Sequence, residues 1–128
     1  MTLLQIKDEL PFVALTVGYA GRIAHVSDVL VDTGSASTIF AADVVRAIGL
    51  VPLPDDELRL VRGVGGVEAV FSRTVDHLHI GEQRLESFEI EVGGMDYGFA
   101  INGILGMDFL TKAGAVIDLR SQQIDFLN

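Results

Sequence analysis

Read from the amino terminus, the chain alternates short runs of Val, Ile, Leu and Phe with glycine-bearing breaks, the pattern of a mostly β protein. Phe12-Val13-Ala14-Leu15-Thr16-Val17 and Arg22-Ile23-Ala24-His25-Val26 flank Gly18-Tyr19-Ala20-Gly21, which predicts a hairpin. Asp28-Val29-Leu30-Val31 reads as a further buried strand that runs into Asp32-Thr33-Gly34. Leu58-Arg59-Leu60-Val61 and Val67-Glu68-Ala69-Val70-Phe71 flank Gly63-Val64-Gly65-Gly66, a second hairpin with a glycine-rich tip. More strands are expected at His77–Ile80, Phe88–Val92 and Gly98–Ile101. A last hairpin pairs Ala115–Leu119 with Gln123–Leu127 through Arg120-Ser121-Gln122. Helical spacing occurs in two places. Val44, Val45 and Ile48 share a face over Asp43–Ile48, and Gly49 suits the left-handed position past a helix end. A short helix over Met107–Ala113 is stopped by Gly114, and Pro52 and Pro54 enforce an extended loop between the two.

Composition narrows what such a β chain can do. Its 128 residues form a single domain, residues 1–128, long enough to bury a self-sufficient core. Nine basic against 18 acidic side chains give a net charge of −9, which argues against nucleic-acid or anionic-membrane binding. Cysteine is absent, so disulfides, zinc-thiolate sites and cysteine nucleophiles are excluded. Met1 to Glu9 lacks the basic start and apolar stretch of a signal peptide, and no apolar run approaches the length of a membrane span. A soluble cytoplasmic protein is the expectation.

One motif carries chemistry. An apolar strand delivers Asp32 from a buried element into the turn Asp32-Thr33-Gly34-Ser35. Burying a carboxylate without partners is costly, so one placed here is either structurally bonded or functional. An Asx turn, with Asp32 capping its own backbone, would account for the tripeptide alone. An echo of the unit lies 72 residues on, where Ile101-Asn102-Gly103-Ile104-Leu105-Gly106 repeats the plan of Val29 to Gly34.

The wider context resembles the active-site loop of aspartic peptidases. Val29-Leu30-Val31-Asp32-Thr33-Gly34-Ser35-Ala36-Ser37-Thr38 is similar to their catalytic loop, and Ile104-Leu105-Gly106 to their apolar-apolar-glycine signature behind the active site. Gly106-Met107-Asp108-Phe109-Leu110 looks like the continuation in cellular and bacterial single-domain members, and Gly63-Val64-Gly65-Gly66 like their flap. The order of these features covers nearly the whole chain and resembles the retropepsin-like family. The fold implied is an all-β acid-protease lobe with one or two short helices, closed by a glycine-rich flap.

That resemblance implies an aspartic endopeptidase without cofactor or metal, acting on a peptide or protein in extended conformation. Asp-Thr-Gly occurs once here, half of the two-carboxyl site, so the implied active form is a homodimer with Asp32 of each subunit at the two-fold axis. By matched position, Asp32, Thr33 and Gly34 form the catalytic turn, with Thr33 hydrogen-bonding across the dimer. Ser35 and the flap residues Gly63, Val64, Gly65 and Gly66 border the substrate, and Ile104, Leu105 and Gly106 support the site. Two departures from retroviral members stand out: Ala36 and Ser37 replace acidic residues after the loop, and Met107 replaces an arginine of the dimer interface. A dimeric peptide-binding or assembly module that keeps the fold without turnover is the alternative. His77, His79 and Glu82 read as ordinary strand surface, and Glu82, Glu86, Glu89 and Glu91 as a solvated acidic face.

Overall fold

A computed structural model describes residues 1–63, 66–94 and 100–127. The strands are β1 (Thr2–Leu3), β2 (Gln5–Lys7), β3 (Leu10–Tyr19), β4 (Arg22–Val31), β5 (Ile39–Ala41), β6 (Arg59–Gly63), β7 (Gly66–Ile80), β8 (Gln83–Gly93), β9 (Gly103–Leu105), β10 (Ala115–Asp118) and β11 (Gln123–Phe126). Two helices interrupt them. Helix α1 (Ala42–Val45) runs on into a 3-10 turn over Arg46–Ile48, and α2 spans Met107–Lys112.

Eight strands form one sheet in the order β2-β3-β4-β9-β5-β8-β7-β6. An added pairing of β3 with β7 brings the sheet round on itself, so β3, β4, β9, β5, β8 and β7 make a closed ring. Closure removes exposed edges from the ring, which is how small antiparallel proteins avoid edge-to-edge aggregation. Two pairings in it are parallel, β4 with β9 and β5 with β8. A separate three-stranded sheet, β1-β11-β10, holds both ends of the chain. The interior holds Val17, Val29, Phe40, Leu78, Leu105, Phe109 and Ile124, all without solvent exposure. Phe109 fastens α2 to the sheets through edge-to-face contacts with Phe88 and Phe126, at centroid distances of 5.7 and 6.2 Å. Among the described residues no helix is long and apolar enough to cross a membrane.

The first hairpin turns through Ala20 and Gly21, both at positive φ (52° and 78°), the primed-turn geometry that matches strand twist. Asp28–Val31 is no separate strand but the end of β4. The register steps from Leu15–Val26 to Val13–Val29, so Ser27 and Asp28 oppose Ala14 alone. This is a bulge, with Asp28 at φ 55°, and it bends β4 as it approaches the Asp32-Thr33-Gly34 turn. His77–Ile80 likewise ends a longer element, the 15-residue β7, because pairing with β8 carries the strand from Val70 to Ile80. The strand expected at Gly98–Ile101 is not found where it is described: Gly98 and Phe99 lie outside the described residues, Ala100 and Ile101 are irregular, and β9 begins at Gly103. Both helices stand where helical spacing put them, with Gly49 and Gly114 at positive φ beyond their ends.

His77 departs from the strand-surface reading. It is 8% exposed and its ring lies over Gly18, where a β-carbon would come within 2.1 Å of it. Arg84 Nη2 stands 3.1 Å from its Nδ1. Glu91 is also not part of a solvated face: its side chain is 18% exposed and pairs with Arg59.

Candidate active site

The sequence echo is a physical pairing. β4 and β9 lie side by side in parallel, with Leu30 opposite Ile104 and Val31 opposite Leu105. β4 ends at Val31, and the next amide, Asp32 N–H, still donates to Leu105 O at 3.0 Å. The ladder thus carries the backbone as far as the carboxylate and then releases it into the turn. Asp32 itself is half-buried. Its Oδ1 accepts from Gly34 N at 2.9 Å, the Asx-type bond, and Asp32 O accepts from Ser35 N at 3.2 Å. A β-carbon at position 34 would lie 3.2 Å from that Oδ1, so glycine keeps the carboxylate unobstructed. Thr33 and Gly34 are exposed at the tip. Structural bonding and functional availability therefore coexist: one carboxylate oxygen holds the turn while the tip faces outward.

Behind the turn the loop is over-determined. Ser35 Oγ donates to Ser37 O at 2.8 Å, which commits the hydroxyl's proton within the loop. Ser35 O accepts from Met107 N at 2.8 Å, and Ala36 O from Asp108 N at 3.2 Å. Gly106 lies directly against this backbone. A β-carbon there would stand 2.4 Å from Ser37 O and 3.0 Å from Ser35 O, so only glycine fits. Ile104 and Leu105, on the strand that pairs with the end of β4, are buried.

Two residues in the quoted motifs turn out to tie the site together. Thr38 is completely buried. Its Oγ1 donates to Asp108 Oδ1 at 2.7 Å and accepts from Gly106 N at 3.1 Å. Asp108 Oδ2 accepts from Thr38 N at 3.1 Å, and its Oδ1 also accepts from Phe109 N at 2.8 Å. The first turn of α2, the end of β9 and the end of the Asp32 loop are joined through one threonine and one carboxylate. The only signal in the sequence was an acidic residue in the first turn of a helix, which reads as helix capping.

The glycine-rich hairpin is in place as two paired strands. β6 and β7 run antiparallel from Arg59–Val70 to Gly63–Gly66, and Val64 and Gly65 lie outside the described residues. The hairpin's base is clamped by Arg73. Its guanidinium donates to Tyr19 Oη at 3.1 Å and Val51 O at 3.3 Å, and pairs with Asp56, whose Oδ2 also accepts from Leu53 N at 2.6 Å. Among the described residues no group of three or more His, Asp or Glu side chains is placed to hold a metal ion. The chemistry on offer is that of one accessible carboxylate on a rigid turn.

Residues 15–109 match the family model described as aspartyl protease. Curated protein sequences give no match. Among solved structures, the fold is similar to a retropepsin-like aspartic protease from Rickettsia conorii, with a TM-score of 0.69 at 19% identity, covering 98% of this chain and 97% of that one. It is also similar to the retroviral protease-like domain of Ddi1 from Leishmania major, with a TM-score of 0.63 at 18% identity, covering 100% and 90%. An all-β retropepsin-like lobe bearing Asp-Thr-Gly on a braced turn, matched over most of its length, leaves one assignment: this chain belongs to the aspartyl protease family.

Proposed function

We propose that the protein is an aspartic endopeptidase that works as a homodimer, with one Asp32 from each copy. The observation that carries this reading is the geometry of Asp32, a half-buried carboxylate released from a parallel strand pair into an exposed turn that is braced from behind. One such group is a base without its acid. Two of them about 3 Å apart cannot both ionise and share a proton, the general behaviour of aspartic-protease dyads.

With one carboxyl ionised and one protonated, the reaction balances. The ionised carboxylate takes a proton from the water held between them as the water oxygen attacks the scissile carbonyl carbon. The protonated carboxyl hydrogen-bonds to the carbonyl oxygen and gives up its proton as the C=O bond becomes a hydroxyl. Collapse of the tetrahedral diol breaks the C–N bond: the proton taken from water passes to the leaving nitrogen, and as the C=O bond re-forms one diol hydroxyl returns a proton to the carboxylate that had given one up. The pair is left as it began, and its pKa values belong to both carboxyls jointly.

Thr33 would brace the pair across the dimer, Gly34 and Ser35 would border it, and the hairpin carrying Gly63, Val64, Gly65 and Gly66 would close over the substrate. An extended peptide beneath it gains strand-like backbone hydrogen bonds. The test is Asp32→Asn in the full chain, assayed by digestion of a peptide library with and without a statine-type inhibitor. Cleavage should vanish with the substitution and under the inhibitor, while melting temperature and oligomeric state stay those of the unsubstituted protein. Cleavage that survives Asp32→Asn overturns the reading.

A further inference from the structure

The chain's three histidines stand on one face of the wall formed by β4, β3, β7 and β8, the face turned away from the buried Leu15, Val17 and Leu78. The register sets two of them in a row. His25 on β4 pairs with Thr16 on β3, Thr16 with His79 on β7, and His79 with Arg84 on β8. Directly paired residues project from the same side of a sheet, so these four side chains stand abreast. His77 lies two residues from His79 and shares its side.

Over Thr16 opens a hollow of about 320 Å³. His25, Thr16, Ser27 and His79 supply its polar side chains, and Gly81 lies at its rim. The ring of His25 leans inward, with Nδ1 3.3 Å from Thr16 Oγ1. No carboxylate lines the hollow, in a chain that carries 18 of them against nine Lys and Arg. The charged groups around it are engaged or at the edge. Arg84 bridges His77 Nδ1 and Glu86, and Asp28, next to Ser27, pairs with Lys7. Asp76 accepts from Gly21 N at 3.3 Å, and Glu82 follows Gly81 in an exposed turn.

Two imidazoles facing one hollow suit one of two ligands. A transition metal draws each nitrogen to about 2.0–2.1 Å and needs further donors. His25 and His79 stand on strands to either side of β3, about 10 Å apart along the backbone. Among the described residues no group of three or more His, Asp or Glu is placed to hold an ion. A tetrahedral oxyanion fits the span better. Accepting a hydrogen bond of about 2.8 Å from each side on different oxygens, it holds its donors roughly 7 Å apart. All four polar side chains of the hollow can donate, and a protonated imidazole donates with charge.

We infer that the hollow over Thr16 binds a small tetrahedral oxyanion, a phosphate or sulfate group, between His25 and His79. Binding strengthens as the histidines take up protons, a change that imidazole makes between about pH 8 and 5. A metal needs the neutral rings and would bind more weakly over the same fall in pH, so the sign of the pH dependence separates the two chemistries. The site uses no residue of the Asp32 turn and stands or falls apart from the peptidase reading.

The test is calorimetric titration of the full chain with sodium sulfate, whose charge is constant between about pH 5.5 and 7.5, at fixed ionic strength in chloride. Sulfate should bind saturably, one per chain, and tenfold or more tighter at the lower pH. His25→Gln and His79→Gln should each weaken it tenfold or more at unchanged melting temperature. Arg46→Gln, which removes a positive charge outside the hollow, should change it less than twofold. Inorganic phosphate and phosphoserine follow at the lower pH. Equal affinity extends the site to a phosphate carried on a larger molecule, and failure of phosphoserine alone confines it to the free ion. Sulfate that does not saturate, that binds equally at both pH values, or that both histidine variants still hold overturns the inference. Zinc held by the same histidines more tightly at the higher pH, with sulfate failing to bind, overturns it in favour of a metal site.

Discussion

Thr38→Val is the sharpest probe of how the loop from Asp32 to Thr38 is held. Valine keeps the shape and the β-branch, so the change removes a hydroxyl and little else. Two hydrogen bonds go with it, the 2.7 Å donation to Asp108 Oδ1 and the 3.1 Å acceptance from Gly106 N. The first is charge-assisted, worth about 1.5–3 kcal/mol, and losing the second strands a buried amide at about 1–3 kcal/mol. Because Asp108 Oδ1 keeps Phe109 N and Oδ2 keeps Thr38 N, the loss falls near the lower end, about 3 kcal/mol together. At about 2.1 cal/mol/K of unfolding entropy per residue, that lowers the melting temperature by roughly 11 °C. Calorimetry reads the melting temperature, and peptide cleavage well below it reads the loop. Activity should fall more than the folded fraction does, because Thr38 fixes the distance between the catalytic loop and Gly106. A melting temperature within about 2–3 °C of the unsubstituted protein, about 0.7 kcal/mol, would refute the claim that this triangle braces the site.

Other substitutions test separate supports. Gly106→Ala should yield little folded protein, or a catalytic loop displaced enough to abolish cleavage, since its β-carbon has backbone at 2.4 Å on one side; circular dichroism and activity check this. Arg73→Met strips Asp56, 15% exposed, of its cation and should cost about 3 kcal/mol by denaturant titration, with faster proteolysis in the 51–57 loop. Asp118 holds the last hairpin by accepting from Ser121 N and Arg120 N, and the hydrogen bond from the Ser121 backbone, before all else, lowers its pKa below the ordinary aspartate value. A depressed carboxylate contributes stability above its unfolded value and loses it as the pH falls through its folded value. Asp118→Asn should therefore lower stability near neutrality and flatten part of the acid limb below about pH 4, where the two proteins converge, read by acid unfolding.

The sequence disclosed what is periodic and what is local. The hairpins, both helices and the Asp32 turn followed from alternation, from 3.6-residue spacing and from glycine at positions that need positive φ. Strand boundaries failed at Asp28 because a bulge is an irregularity of pairing, and pairing with Val13 and Leu15 is invisible along one strand. β1 and β2 were missed because segments of two and three residues carry no period. His77 and Glu91 read as surface because their burial depends on neighbours remote in sequence, Gly18 for the one and Arg59 for the other. Thr38 and Asp108 sit inside the recognised motifs, yet their bond spans 70 residues, and no local pattern announces a contact at that range.

β7 has a mechanical consequence. Fifteen residues without a break make a rod of roughly 50 Å, of which one end is hydrogen-bonded into the closed ring and the other is half of the glycine-rich hairpin. β8 holds it from Ile80 up to Val70, so the arm that reaches beyond the ring, from Val70 to Gly66, is about 14 Å long, and a tilt of about 10° there would swing the hairpin end by roughly 2 Å. The held part lies against β3 at Thr16, Val17 and Gly18. In the proposed enzyme, a load on the hairpin would therefore be carried along one strand into the opposite wall of the ring.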